Sequence, residues 1–123
     1  MIKGAEFMAR KGVIDTPMHF NLVMNVPGSI PGNPRNLMFL KESLPAGSTF
    51  TVSGIGKSQV QMTTMAILLG GHVRTGLEDV IEYSPGVPAT NEMLVQRVVR
   101  LAEELGREVA TTTEAREILG LNK

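Results

Sequence analysis

The feature that most constrains the fold is a threefold alternation of a short apolar strand with a helix. The predicted strands begin at His19, Thr49 and Gly70, and they are apolar almost throughout except near their ends. Nearly continuous apolar strands that alternate with helices are typical of a parallel sheet. We therefore predict an α/β fold with parallel strands, in a single domain that spans residues 1–123.

Cap and turn residues give the bounds of the predicted elements. Right-handed crossovers would place the ends of the strands along one rim, where parallel α/β enzymes keep their sites. Three strands with helices on one side leave the other face and both edges uncovered, so the chain requires more sheet than it contains. In chain order, the predicted elements are helix Met1–Arg10, strand His19–Val26, helix Pro34–Leu44, strand Thr49–Ser53, helix Gln59–Leu69, strand Gly70–Asp79, loop Tyr83–Ala89, helix Thr90–Leu105, strand Glu108–Ala110 and a last helix capped by Thr111–Thr113 that ends at Gly120.

The composition excludes several classes of function. Lys and Arg together number 12 and Asp and Glu also number 12, so the charge balance favours neither nucleic acid nor a membrane as a partner. There is no cysteine, so a metal site would need His, Asp or Glu ligands. The longest apolar run, Met65–Leu69, is far below the roughly 20 residues of a membrane span. We expect a soluble, cytoplasmic protein.

The run Gly70–Asp79 combines a histidine, an arginine and two adjacent carboxylates. In an extended chain, His72, Arg74, Gly76 and Glu78 share one face, and charges on a buried face require a partner, a ligand or a metal. On spacing alone, Glu78 is either a metal ligand or a carboxylate that is solvated or paired to Arg74, and Arg74 and Asp79 could form a plain salt bridge. His72 and His19 are predicted to be hydrogen-bonded core residues.

Two further segments have alternative interpretations. The loop Ser53–Ser58 resembles a phosphate cradle through Gly54, Gly56 and Lys57, but it also fits a tight turn with Ser58 as the helix cap. The charged residues of the last long helix indicate a solvated face, to which we assign no function. These are Arg97, Arg100, Glu103, Glu104 and Arg107. The inward face of that helix is predicted to consist of Leu94, Val95, Val98, Leu101, Ala102 and Leu105.

Three blocks in collinear order resemble the C-terminal part of the β-keto acid cleavage enzymes, which include 3-keto-5-aminohexanoate cleavage enzymes. The blocks are Ser53–Lys57, Gly70–Asp79 and the stretch from Gly106 to Leu121. The resemblance implies a (β/α)8 TIM-barrel-type fold, of which this chain would be the last three βα units, an incomplete barrel. It also implies a transferase that converts a β-keto acid and acetyl-CoA into acetoacetate and a new CoA thioester.

The resemblance also implies the parts of the site. The family holds a divalent metal, normally zinc, with an early His-x-His motif and one glutamate, which Glu78 matches; the sequence has no His-x-His. Arg74 and Asp79 match catalytic residues, and their division of roles stays open between proton handling, orientation and oxyanion contact. Gly54, Gly56 and Lys57 are expected to contact the phosphates of CoA, because barrel enzymes commonly bind phosphate at such a loop.

Two functional hypotheses follow. In the first, the chain is part of a zinc-dependent acyl-transferring enzyme and is inactive without the N-terminal half that carries the His-x-His motif. In the second, it is a non-catalytic half-barrel that associates with copies of itself and binds a phosphate-bearing metabolite. Both imply a partner for the uncovered sheet, either a homo-oligomer or a complementing N-terminal fragment.

Overall fold

The computed structural model of the chain describes residues 1–121 and shows an α/β architecture. A 3-10 turn, Gly56–Ser58, precedes the third helix. Within these residues, none of the helices has the length and apolar character needed to cross a membrane. The elements are α1 Ile2–Arg10, β1 His19–Met24, α2 Pro34–Glu42, β2 Thr49–Gly54, α3 Gln59–Leu68, β3 His72–Val73, β4 Glu82–Ser84, β5 Val87–Pro88, α4 Asn91–Glu104 and α5 Thr112–Ile118.

The three strands β1, β2 and β3 form a parallel sheet in that order, which confirms the predicted α/β class with parallel strands. His19 pairs with Thr49, and Thr51 pairs with His72, and neither strand pair contains a register shift. Helices connect successive strands, as a parallel arrangement requires.

The predicted strand over Gly70–Asp79 is wrong beyond Val73. The Arg74 amide still donates to Val52 O at 3.0 Å, and the chain then leaves the sheet. It closes a turn in which the amides of Asp79 and Val80 both donate to Gly76 O. The alternation of residue types over this stretch does not reflect an extended backbone, because the carboxylate of Asp79 folds back onto Arg74. The face shared by His72, Arg74, Gly76 and Glu78 therefore does not exist as predicted.

Two other assignments also differ from the sequence prediction. Glu108–Ala110 has no strand, and the predicted loop Tyr83–Ala89 contains most of an antiparallel hairpin formed by β4 and β5. On α4, Leu94 and Ala102 are buried as expected, but Val95 is 50% exposed. The helical spacing of apolar residues thus overstates the width of the face that α4 buries among residues 1–121.

Three of the predicted helices have a side-chain cap that closes the first turn. Asn33 accepts from the Asn36 amide at 3.0 Å, and Thr90 accepts from the Met93 amide at 3.2 Å. Thr111 forms a capping box with Glu114, whose carboxylate accepts from the Thr111 amide. Hydrogen bonds to Thr111 lower the pKa of Glu114. These local interactions are readable from sequence because donor and acceptor lie within three residues.

One face of the sheet packs against helices and forms the core. Alternate residues of β1 and β2 contribute to this face, and the first turns of α2 and the middle of α3 cover it. The side chains share an aliphatic, methionine-rich character that fills the space between sheet and helices. The buried cluster consists of Leu22, Met24, Leu37, Phe50, Val52, Met62 and Ala66.

The opposite face of the sheet is lined largely by polar residues and is not covered by any helix in residues 1–121. His19 lies between two hydroxyls, with Nδ1 2.8 Å from Thr49 Oγ1 and Nε2 3.0 Å from Thr51 Oγ1. Further along the strands, Ser53 donates to Asn21 Oδ1 at 2.9 Å. His19 and Asn21 are exposed on this face, whereas Ser53 is fully buried, so the face is open only in part.

Gly71→Ala is expected to lower the free energy of unfolding by about 1–3 kcal/mol, because the site has no room for a methyl group. A Cβ at Gly71 would lie 2.6 Å from Phe50 Cζ and closer still to Cε2, and Phe50 is buried in the core. Urea denaturation of the two proteins measures the change. Gly4→Ala is the matched control, since a Cβ at Gly4 meets nothing within 4 Å. This substitution also replaces a glycine in the interior of α1 by a better helix former. A loss at Gly71 no larger than at Gly4 would contradict the packing argument.

Candidate active site

The loops after the three strands meet along one rim, as predicted. The Ile55 amide donates to Met24 O at 3.1 Å, and Asn25 Nδ2 donates to Ile55 O at 2.9 Å. The Gly56 amide donates to Asp79 O at 2.8 Å. The loop after β2 is therefore joined by hydrogen bonds to the loops that follow β1 and β3.

Arg74, Asp79 and Glu78 form a charged cluster on this rim. Arg74 Nε donates to Asp79 Oδ2 at 3.1 Å and Nη2 donates to Asp79 Oδ1 at 2.7 Å, a bidentate pair. Nη2 also lies 3.2 Å from Glu78 Oε2. The Asp79 side chain is 1% exposed and that of Glu78 is 84% exposed, so the two neighbouring carboxylates lie in opposite environments.

The guanidinium of Arg74 retains hydrogen-bonding capacity in this arrangement. Hydrogen bonding to Asp79, together with its charge, raises the pKa of Arg74, so the group stays cationic. Of its five N–H donors, those of Nε and Nη2 are directed at the two carboxylates, and Nη1 has no acceptor among residues 1–121. The Arg74 side chain is 38% exposed, so these donors are accessible to a ligand at the rim.

The turn that carries Glu78 and Asp79 is held by Asn91, a residue that the sequence did not identify. Asn91 Oδ1 accepts from the Leu77 amide at 2.9 Å. A Cβ at Gly76 would lie 3.3 Å from the same oxygen, so glycine allows this close approach. The available sequence signal was weak, because Asn91 follows the cap residue Thr90 and looks like an ordinary first-turn residue.

The residues predicted to bind phosphate have different surroundings. Gly54 has no room for a side chain, since a Cβ would lie 2.8 Å from Met62 Cβ and 3.0 Å from Gln59 Cα. Gly56 has a φ of +61° and open space around it. Lys57 lines a cleft beside the Arg74 cluster. Gly54 thus has a packing requirement of its own, whereas Gly56 and Lys57 face space that a ligand could fill.

This cleft has a volume of about 520 Å³ and lies between the start of α3 and the segment Leu77–Pro85. Tyr83 and Arg97 form part of its wall, with Arg97 Cζ 3.5 Å from the centroid of the Tyr83 ring. Arg97 Nη2 also donates to Tyr83 O, and Arg100 Nη2 donates to the Tyr83 hydroxyl at 2.9 Å. Hydrogen bonding to Arg97, followed by the charges of both arginines, lowers the pKa of Tyr83.

The prediction of a purely solvated charged face is therefore wrong for Arg97, on α4, and for Arg107, which lies just beyond the end of α4. Arg97 contributes to the cleft, and Arg107 reaches beneath β3, where Nη1 donates to Gly71 O at 2.7 Å and to Ile67 O at 3.0 Å. Arg107 thereby adds a second donor to Ile67 O, a carbonyl in the last turn of α3 that also accepts from the Gly70 amide at 3.2 Å. The spacing of charged residues along a helix does not predict contacts with residues that are distant in sequence, such as those of Arg107 with Ile67 and Gly71.

Two histidines lie at the starts of their strands. The rings of His19 and His72 are 6.0 Å apart. His72 is only partly buried and its ring makes no hydrogen bond within residues 1–121, whereas His19 is exposed and bonds threonine hydroxyls on the open face of the sheet. The core assignment of His19 is wrong for residues 1–121, because no helix covers that face.

A comparison with known families identifies the chain. The sequence model of the beta-keto acid cleavage enzyme family matches residues 1–121. The chain belongs to the β-keto acid cleavage enzyme family. It is 56% identical over its whole length to a 3-keto-5-aminohexanoate cleavage enzyme of Acetoanaerobium sticklandii, and 51% identical to one of Fusobacterium nucleatum. A 3-oxoadipate:acetyl-CoA acetyltransferase of Cupriavidus necator is 39% identical over 98% of the chain.

The chain spans 45% of the length of the first two of these relatives and 44% of the third. Two of the more distant family members, at 33% and 27% identity, are also named for reactions with acetyl-CoA. Family membership is therefore shown for this segment, and the transferase chemistry is that of its homologues.

The described part of this β-keto acid cleavage family member does not form a metal centre by itself. Residues 1–121 contain no group of three His, Asp or Glu side chains that could hold a metal ion. Glu78 offers one accessible carboxylate, and the buried carboxylate of Asp79 is occupied by Arg74. The two histidines lie at the strand starts, away from the turn that carries Glu78.

The two histidines are expected to make the stability of the protein depend on pH. Burial lowers the pKa of both below 6.5, and for His72 the nearby His19 and Arg107 lower it further. The unfolded chain therefore binds more protons than the folded chain. The stability that the neutral histidines contribute is complete above pH 6.5 and is lost as the pH falls through their lowered pKa values in the folded protein. Urea midpoints between about pH 5 and pH 7.5 measure the slope. His72→Gln should flatten it, and an unchanged slope in this variant would contradict the argument.

Proposed function

We propose that this chain is part of a (β/α)8 barrel that transfers an acyl group between a β-keto acid and acetyl-CoA. In this reaction, the β-keto acid and acetyl-CoA give acetoacetate and a new CoA thioester. The chain would contribute the last three βα units, and catalysis would require the rest of the barrel. The observation that carries the proposal is the Arg74–Asp79–Glu78 cluster on the rim of a parallel sheet in a member of this family.

The pair Arg74–Asp79 is proposed to be catalytic. Arg74 occupies two of the roughly four lone-pair positions of the Asp79 carboxylate, so the others remain able to accept a proton from substrate. The bidentate contact fixes the orientation of Asp79, and the Nη1 donors of Arg74 are placed to stabilise negative charge that develops on a substrate oxygen. Asp79 thus handles the proton, and Arg74 orients Asp79 and contacts the oxyanion.

Glu78 is proposed to be the one zinc ligand that this chain supplies. Its carboxylate is exposed, and its ion pair within residues 1–121 is with Arg74, a contact that a metal ion can replace. By the family resemblance, the other ligands would belong to a His-x-His motif outside these residues. When bound, zinc would act as a Lewis acid toward a substrate carbonyl.

The loop after β2 is proposed to contact the phosphates of CoA through Gly56 and Lys57, with Gly54 allowing the loop to lie close to α3. Gly54 supports this role indirectly, since its close contact with Met62 fixes where the loop leaves the sheet. The hydrogen bond from the Gly56 amide to Asp79 O couples this loop to the catalytic turn.

The second candidate is a half-barrel that self-associates without catalysis and binds a phosphate-bearing metabolite. It is favoured by the open polar face of the sheet, which bears His19, Asn21 and Thr51 without a covering layer in residues 1–121. In sedimentation at micromolar concentration, a folded monomer would count against this candidate.

The experiment that tests the proposed function uses the protein expressed from its complete reading frame. It is incubated with acetyl-CoA and a set of β-keto acids, and the products are separated by mass spectrometry. The proposal predicts acetoacetate and a new acyl-CoA in equal amounts with at least one keto acid. Zinc-loaded protein that forms neither product with any member of the set would contradict it.

A further inference from the structure

The cleft beside the Arg74 cluster has a polar side chain that the protein does not satisfy. Gln59 lines the cleft and is 3% exposed, and its Nε2 has no hydrogen-bond partner among residues 1–121. A buried amide donor without an acceptor destabilises a protein, so such groups are normally paired. Gln59 therefore has an amide donor that is free to bond an acceptor oxygen from outside residues 1–121.

The same cleft has basic groups without carboxylate partners. Neither Lys57 nor Arg97 forms a salt bridge with any residue between positions 1 and 121. The stack on Tyr83 fixes the plane of the Arg97 guanidinium, and only its Nη2 donates to the protein, to Tyr83 O. The wall also carries one carboxylate outside the Arg74 cluster, Glu82, which is exposed and pairs with neither cation.

Between these polar groups, the wall of the cleft is largely apolar. The side chains involved are Val60, Leu77, Val80, Ile81 and Pro85. A ligand that matches this wall has an extended, mostly neutral chain with carbonyl oxygens, and an anionic group at one end. Inorganic phosphate alone would leave both the apolar wall and Gln59 without contacts.

We propose that this cleft binds the arm of the thioester cosubstrate, with Gln59 donating to an amide carbonyl of the arm and with Lys57 and Arg97 contacting its phosphates. The inference rests on the proposed function, because it assumes that the cosubstrate is a CoA thioester. It assigns to Gln59 and Arg97 a binding role that no sequence motif indicates.

The test measures binding of three probes by isothermal titration calorimetry to the protein expressed from its complete reading frame. The probes are coenzyme A, pantetheine, which has the arm without the nucleotide, and adenosine 3′,5′-bisphosphate, which has the nucleotide with two of the three phosphates and lacks the arm. Gln59→Leu should weaken coenzyme A and pantetheine about five-fold and leave the bisphosphate unchanged. Lys57→Gln and Arg97→Lys should weaken coenzyme A and the bisphosphate about five-fold or more and leave pantetheine unchanged.

The matched controls are Gln96→Leu and Lys41→Gln, which remove the same groups from exposed positions outside the cleft. Gln59→Leu breaks no hydrogen bond at Nε2, so a retained melting temperature shows that its effect on binding is not unfolding. Unchanged affinity for coenzyme A in both Gln59→Leu and Lys57→Gln would overturn the inference, as would equal losses in the controls. If the protein transfers acyl groups but the cleft variants bind all probes with unchanged affinity, the cleft assignment alone is refuted. If the variants show the expected binding pattern but the protein does not transfer acyl groups, the proposed function alone is refuted.

Discussion

Asp79→Asn is expected to lower kcat for acyl transfer by about 10²–10⁴-fold, the usual contribution of a positioned proton-transfer group. The substitution keeps the shape of the side chain but removes its charge. It also places an amide NH₂ against the donors of Arg74, which now reach Asp79 at 2.7 Å and 3.1 Å. Steady-state kinetics with acetyl-CoA and the preferred keto acid measure the loss. The KM for acetyl-CoA should change little, because Asp79 is buried behind Arg74.

Glu42→Gln is the control for this substitution, since Glu42 is an exposed carboxylate at the end of α2. It should leave kcat within about two-fold of the starting protein, because exposed substitutions away from a site rarely matter. An Asp79→Asn variant that retained kcat within ten-fold would show that Asp79 is only a structural partner of Arg74.

Glu78→Gln is expected to weaken zinc binding by about 100-fold or more, because loss of even an outer-shell partner costs about 10–100-fold and a direct ligand contributes more. Zinc content after dialysis against a competing chelator measures this, by mass spectrometry of the metal. The free energy of unfolding of the metal-free protein should change by less than about 1 kcal/mol, because the pair between Glu78 and Arg74 is at the surface. Loss of metal can then be separated from loss of fold.

Glu82→Gln serves as the matched control for the metal experiment, because Glu82 is an exposed carboxylate four residues along the same cleft wall. It should leave the zinc content unchanged. Equal zinc affinity in Glu78→Gln and the starting protein would remove Glu78 from the metal site and leave it as a partner of Arg74.

The sheet and its helical connections could be predicted from the sequence because each depends on local patterns. Apolar runs identified β1 and β2, and the predicted starts of α2 and α4 lie at the caps Asn33 and Thr90, whose hydrogen bonds span three residues. The parallel arrangement followed from the alternation of strands with helices. The rim followed in turn, since parallel strands end on the same side of a sheet.

The geometry of the segment Gly70–Asp79 could not be predicted, because it depends on tertiary contacts that a pattern of residue types does not reveal. The sequence placed Arg74 and Glu78 on one face of a strand, but the turn at Gly76 and the pair of Arg74 with Asp79 end the strand after Val73. The role of Arg107 under β3 likewise depends on acceptors 36 and 40 residues away. Gln59 was unremarked because only the structure shows that its amide is buried without a partner.

The central claim is that Arg74 and Asp79 act as one catalytic unit, and a double-mutant cycle on kcat/KM tests it most directly. The variants are Arg74→Lys, which keeps the charge but loses the bidentate fork, Asp79→Asn, and the two combined. Substitutions of residues that act as a unit have strongly non-additive effects. The kcat/KM of the double variant should therefore lie within about three-fold of that of the less active single variant. A double variant whose loss equals the product of the two single losses would show that the residues act independently and would contradict the account.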